Sequence, residues 1–145
     1  MVYIRKFTKS DVNQISEIAQ ISLKESYDEE LYIAIHNYWP EGFLVASLDS
    51  YILGFISGVI VSKDTSRILM LAVRPSHRNK GIGSNLLQNF IEKSAQKGMK
   101  KITLEVRVSS EKAISFYRKK GFHPLGIIED FYTDGESCVK MVKYL

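Results

Sequence analysis

Arg78-Asn79-Lys80-Gly81-Ile82-Gly83 stands between an apolar run and a long amphipathic segment. The run, Ile68-Leu69-Met70-Leu71-Ala72-Val73, has the length of a strand, and periodicity alone leaves it open between a buried strand and a buried helix. Pro75 favours the strand, because the residue before a proline is pushed out of the helical region. Downstream, Ile82, Leu86, Leu87, Phe90, Ile91 and Ala95 recur at spacings of three and four, one face of a helix that Gly98 can end as its C′ residue. The glycines therefore lie where a helix begins. There the first N–H groups lack intrahelical partners and the macrodipole is positive, so a phosphate is a natural guest. Glycine at 81 and 83 allows a tight turn and keeps side chains away from those N–H groups, while Arg78 and Lys80 add positive charge.

Two nucleotide motifs are excluded. A P-loop requires Lys and Ser/Thr after its second glycine, and Ser84-Asn85 follows Gly83. A dinucleotide fingerprint requires a third glycine where Leu86 stands, with the turn directly off the strand, yet Arg74-Pro75-Ser76-His77 intervenes. The chain is also too short for two mononucleotide-binding halves.

With 145 residues, 45% hydrophobic and 25% charged, the sequence is that of a single domain, residues 1–145, with a real core. No segment approaches a membrane span and Met1-Val2-Tyr3-Ile4-Arg5-Lys6 lacks a signal-peptide core, which implies a cytoplasmic protein with no membrane partner. A lone cysteine, Cys138, excludes an internal disulfide and fits a reducing compartment. His36, His77 and His123 are too scattered for a metal site. The net charge of +4 is spread along the chain, which describes a solvated surface and not a nucleic-acid interface.

Residues 2–7 form a short strand, and Thr8-Lys9-Ser10-Asp11 has the form of a capping box before a helix striped with Val12, Ile15, Ile18 and Ala19. A second helix covers residues 28–36, ended by Pro40-Glu41-Gly42. Residues 43–48 and 51–61 are strands joined through Asp49-Ser50. After Gly98, Lys101-Ile102-Thr103-Leu104-Glu105-Val106 alternates as a strand, so residues 68–106 form a β-α-β unit with parallel strands. A last helix carries Ala113, Ile114, Phe116 and Tyr117 up to Gly121. Strands near 122–131 and 138–145 flank the turn Thr133-Asp134-Gly135-Glu136. The order is βααβββαβαββ, an α/β fold with a central mixed sheet flanked by helices.

The Arg-x-x-Gly-x-Gly pattern at 78–83, after Leu71-Ala72-Val73-Arg74-Pro75, resembles the acetyl-CoA signature of the GCN5-related N-acetyltransferases (GNATs), and the element order is similar to theirs over nearly the whole chain. Leu104-Glu105-Val106-Arg107, the stretch from Ala113 through Phe122, and Phe131-Tyr132-Thr133-Asp134-Gly135-Glu136 resemble the branch that acetylates protein N-termini. Leu23-Lys24-Glu25-Ser26-Tyr27 and Trp39-Pro40 resemble the substrate loop of the NatA type within that branch.

The resemblance implies acetyl-CoA as cofactor and protein or peptide N-termini as partners. The cofactor would be held by Arg78, Asn79, Lys80, Gly81, Ile82, Gly83 and Ser84 around its pyrophosphate, and by backbone groups of Leu71, Ala72 and Val73 along its pantetheine arm. It implies Glu105 as base, Glu25 as a second candidate carboxylate and Tyr117 as general acid beside the cofactor. Tyr27, Phe131 and Tyr132 would flank the incoming peptide. One position departs: where the family has Ser-Asn before the last helix, this chain has Ser109-Ser110, so Ser110 would make the cofactor contact with a hydroxyl. Acetylation of a small amine, and CoA binding without turnover, are the alternatives.

Overall fold

The computed structural model describes residues 1–24 and 26–145; Glu25 lies outside the described residues. In chain order the elements are β1 (Tyr3–Lys6), α1 (Val12–Leu23), α2 (Glu29–Tyr38), β2 (Phe43–Leu48), β3 (Tyr51–Ser62), β4 (Thr65–Val73), α3 (Ile82–Gln96), β5 (Lys101–Arg107), α4 (Glu111–Lys119), β6 (His123–Ile128) and β7 (Cys138–Tyr144). The strands form one mixed seven-stranded sheet in the order β1-β2-β3-β4-β5-β7-β6. The order of elements along the chain is the expected βααβββαβαββ. Most boundaries shift by one or two residues, and two shift further. β4 begins earlier, at Thr65, and β6 stops at Ile128, because the chain turns at Asp130 in a left-handed conformation (φ 51°) and leaves Phe131 in the following loop.

The helices bury most of their expected stripes, with Ala95 of α3 left exposed and Tyr117 alone buried in α4. In α1 the buried residues are Val12, Ile15, Ile18 and Ala19, and the entry to the helix is fixed by Asp11, whose carboxylate accepts from the Thr8 N–H (2.8 Å) and from both Arg5 guanidinium NH groups (2.8 and 2.9 Å). In α3 Ile82, Leu86, Leu87 and Phe90 are buried, and Gly98 follows at φ 88° as the left-handed residue that ends it. Among the described residues no helix is long and apolar enough to cross a membrane.

The sheet has a core on each face. One cluster, with Leu86, Leu87, Phe90, Leu104, Val106 and Tyr117, lies under α3 and α4; the other, with Ile15, Ile18, Tyr32, Phe55, Met70 and Ala72, lies under α1 and α2. Ile68 belongs to the first and Met70 to the second, although residues two apart on a regular strand share a face. A bulge explains this: Gly58 pairs with Ile68 and Ser57 with Met70, so Leu69 is an extra residue in β4. Two covered faces and one inversion leave no polar alternation to read, and residues 68–73 appear continuously apolar.

β4 and β5 are parallel, but only Thr65, Ser66 and Arg67 pair, with Lys101, Ile102 and Thr103. Beyond Arg67 the two strands part. From there β5 pairs only with β7, as far as Arg107 opposite Cys138.

Candidate active site

The parting of β4 and β5 opens the centre of the sheet at the C-terminal ends of two parallel strands, where open α/β sheets place their ligands. Which backbone groups line the gap follows from the β3–β4 ladder. The Arg74 N–H donates to the Leu53 carbonyl (2.8 Å), and alternation then directs Ala72 toward Phe55 of β3 as well. Leu71 and Val73 face the gap instead. Of the three residues expected to offer backbone groups, Ala72 is therefore corrected, because its N–H and C=O belong to the ladder. The Val73 carbonyl is also engaged, accepting from Arg78 Nε (3.1 Å) and Ser22 Oγ (3.2 Å).

Arg78, Asn79, Lys80 and Gly81 are exposed where the loop leads into α3. Asn79 (φ 62°) and Gly81 (φ 81°) both take left-handed conformations, and Gly81 is the N-cap. No side chain caps the helix, so its first N–H groups point outward unshielded. A Cβ on Gly81 would meet nothing within 4 Å, and one on Gly83 would only touch Val73 Cγ2 (3.7 Å) and Phe116 Cζ (3.9 Å). The fold does not need glycine at 83 to avoid a clash. Backbone N–H groups at a helix N-terminus are the kind of group that binds a phosphate.

Glu105 and Tyr117 flank the gap from opposite faces of the sheet. Tyr117, 8% exposed, packs in the α3/α4 core against Phe116 and Phe122, with ring centroids at 5.2 and 5.4 Å, and burial pushes its phenol well above the ordinary tyrosine range. The ring is packed, and burial favours the neutral phenol. Glu105 lies on the α1/α2 face, two residues beyond the last β4–β5 pair. Its side chain is only 7% exposed, so its charge needs partners. Arg67 supplies one, reaching Oε1 through Nε (2.8 Å) and Nη2 (2.7 Å); Lys140 Nζ lies 3.4 Å from Oε2. The Arg67 contact bridges the strands where the ladder ends. Neither Arg67 nor Lys140 was singled out in the sequence.

The loop between β6 and β7 forms a lip beside Glu105. The Arg107 guanidinium lies 4.0 Å from the Tyr132 ring centroid and pairs with Asp134 and Glu136, both at 2.9 Å. The second Glu136 oxygen accepts from the Ser109 N–H (3.0 Å), and these bonds hold its carboxyl below the usual range. Burial, aided by nearby anionic groups including Glu105, pushes the Tyr132 phenol up to about 12. Phe131 packs edge-on against Tyr132 (5.0 Å) at the exposed rim. Ser110 is the N-cap of α4, and its side chain makes no cap hydrogen bond there. Tyr27 is half-buried against the α1/α2 core, edge-on to Tyr32 at 6.2 Å. The Tyr32 hydroxyl is buried and has no partner among the described residues, a feature that no pattern in the sequence marks. Cys138 is fully buried and burial raises its thiol, which suits packing.

The sequence profile of the acetyltransferase (GNAT) family matches residues 12–122. The chain belongs to the GNAT family. As a GNAT it is an N-acetyltransferase that uses acetyl-CoA. An N-alpha-acetyltransferase of Sulfurisphaera tokodaii is 30% identical over 157 residues, covering 95% of this chain and 90% of that protein. The crystal structure of Ard1 from Thermoplasma volcanium superposes with a TM-score of 0.96 at 34% identity, covering 99% and 97% of the two chains. Arabidopsis thaliana Naa50, solved with the bisubstrate analogue CoA-Ac-MVNAL, superposes at 0.88 with 25% identity, covering 99% of each chain.

Proposed function

We propose that this GNAT transfers an acetyl group to the α-amine of protein or peptide N-termini. The observation that carries the reading is the placement of Glu105 and the Tyr132 lip on one face of the β4–β5 gap, with Tyr117 on the other. Relatives named N-alpha-acetyltransferases, and a structural neighbour holding a peptide joined to CoA, support the same acceptor class.

Acetyl-CoA, when bound, supplies the acetyl group as a thioester and its thiolate as the leaving group. The N–H groups of residues 79–84 would hold its pyrophosphate, with Arg78 and Lys80 adding charge, Leu71 and Val73 lining the pantetheine arm, and Ser110 a hydroxyl at the start of α4. Glu105 takes the proton of the acceptor amine, directly or through a water. Tyr117 holds the proton that the departing sulfur needs, and its raised pKa keeps that proton in place at every working pH. An α-amine titrates near 7.7–8.0 and a lysine near 10.4, so at neutral pH roughly a tenth of N-termini are neutral, several hundred times the fraction of lysines. A single paired carboxylate suffices for such an acceptor.

The substrate class is tested by mass-spectrometric location of the acetyl group on peptides with free and with blocked N-termini. Modification of the free α-amine is expected, and Tyr132→Phe, more strongly with Tyr27→Phe, should raise KM for the peptide at unchanged acetyl-CoA affinity. Two neutral hydrogen bonds are worth about 1–3 kcal/mol together. Equal acetylation of blocked peptides at lysine, or faster turnover of spermidine than of any peptide, would defeat the assignment.

Arg107 is a positioning residue in this scheme, since it holds Tyr132, Asp134 and Glu136 in one arrangement. Arg107→Met is expected to raise peptide KM roughly five- to tenfold while kcat at saturating peptide changes little. An equal fall in kcat with unchanged KM would place Arg107 in the chemical step instead.

A further inference from the structure

α1 and α2 cover one face of the sheet only as far as β4: among the described residues, none of β5, β6 or β7 belongs to the core beneath these helices. Strand register fixes what the rest of that face carries. Residues opposite one another on paired strands share a face, as do residues two apart along a regular strand. Thr103 is opposite Arg67 on one side and Val142 on the other, and Val142 is opposite His123. Two residues from Thr103 in either direction along β5 are Lys101 and Glu105, and Glu105 is opposite Lys140. Arg67, Lys101, His123 and Lys140 therefore stand together on the face that carries Glu105.

The face is basic. Arg67, Lys101 and Lys140 set their cations against the Glu105 carboxylate, with His123 exposed at the margin. Arg67 and Lys140 keep 35% and 38% of their side chains exposed while pairing with Glu105, so each retains donors for a second anionic partner. Asp64, at the Lys101 end, interacts with Lys100 as well as Lys101 and offsets only one of the two. The cations come from strands far apart in the chain, which is why the sequence shows only dispersed charge. The lip at the other end has the opposite sign: Asp134 and Glu136 outnumber Arg107, and Glu129 and Asp130 lie exposed just before it.

We propose that this basic face receives an acidic segment of the acceptor chain, at about its third to sixth residues, behind an N-terminus seated at Glu105. The inference rests on the N-terminal acceptor reading. Lys101 lies four residues back along β5 from Glu105, a distance of roughly 13 Å on a strand. An extended peptide that starts at Glu105 spans it by about its fifth residue. The acidic lip draws in the α-ammonium and the basic face takes carboxylates behind it, so the two patches orient a chain of matching polarity. A nucleic acid suits the surface less, because phosphates continuing past the face would meet the carboxylates of the lip.

The test is kcat/KM for peptides that share their first two residues and carry glutamate, glutamine or lysine at positions three to six. At about 50 mM salt the glutamate peptide is expected to exceed the glutamine peptide roughly five- to tenfold, through KM, with the lysine peptide below both. The differences should shrink severalfold at about 500 mM salt. Lys101→Gln should lower the glutamate preference roughly two- to threefold and Lys101→Glu should abolish it, while both variants acetylate the glutamine peptide as wild type does. Equal rates for the three peptides in wild type, or a glutamate preference unchanged in both variants, would overturn the surface and leave the acceptor reading standing. An RNA oligonucleotide that inhibits wild type but not Lys101→Glu, with no advantage for the glutamate peptide, would assign the face to nucleic acid instead. Acetylation of none of the peptides at the α-amine would overturn both readings, a separate result.

Discussion

Tyr117→Phe is expected to lower kcat by roughly 10²–10⁴-fold, the range of a lost general acid, while acetyl-CoA affinity stays close to that of the parent. The variant removes one oxygen and leaves the ring between Phe116 and Phe122, so the α4 packing is preserved. The sign of the pH dependence follows from burial. Because the folded protein disfavours the phenolate, Tyr117 remains protonated well past the ordinary tyrosine range, and the wild-type rate should rise with pH through the α-amine range without losing its acid. The same shift favours the folded state below the unfolded phenol's pKa near 10, and that contribution fades as pH rises beyond it. Stopped-flow or steady-state rates between pH 6 and about 10 check both points. Full turnover in a folded Tyr117→Phe protein would return the residue to a packing role.

Gly81→Asp is expected to abolish acetyl-CoA binding. The reason is not a clash inside the protein, since a Cβ at 81 meets nothing within 4 Å. Two other costs apply. The residue sits at φ 81°, where a side chain is strained, and a carboxylate would stand at the N-terminus of α3 in the position the pyrophosphate needs, repelling it. Calorimetry on the variant, with its thermal melt as control, separates the two. A stable protein with unchanged affinity would remove the phosphate loop from the site.

Much of this was legible in the sequence, and for identifiable reasons. Pro75, Gly81, Gly98 and Gly121 punctuate the chain where the backbone must turn, and the stripes of α1 and α3 have a period that admits one reading. The motif at 78–83 stands where it was expected because a tight turn into a helix is set by local sequence. What was not legible depends on strand register. Arg67 and Glu105 are 38 residues apart in the chain, and Lys140 faces them only because β7 runs antiparallel beside β5 with Glu105 opposite Lys140. Ala72 was misassigned because the backbone direction of a strand residue is set by its neighbour's ladder. No side-chain pattern records it. The bulge at Leu69, which puts Ile68 and Met70 in different cores, is equally silent in a run where every residue is apolar.

The brief contact between β4 and β5 has a thermodynamic consequence. With three residue pairs joining them, the β1–β4 half and the β5–β7 half of the sheet share little hydrogen-bonded edge, and the Arg67–Glu105 bridge marks its end. A molecule lying along the open edge of Leu71 and the Val73 N–H would supply part of the missing pairing and fasten the two halves to each other. Its binding energy is then also energy of cohesion for the sheet, so the cooperativity of unfolding is tied to the concentration of the donor.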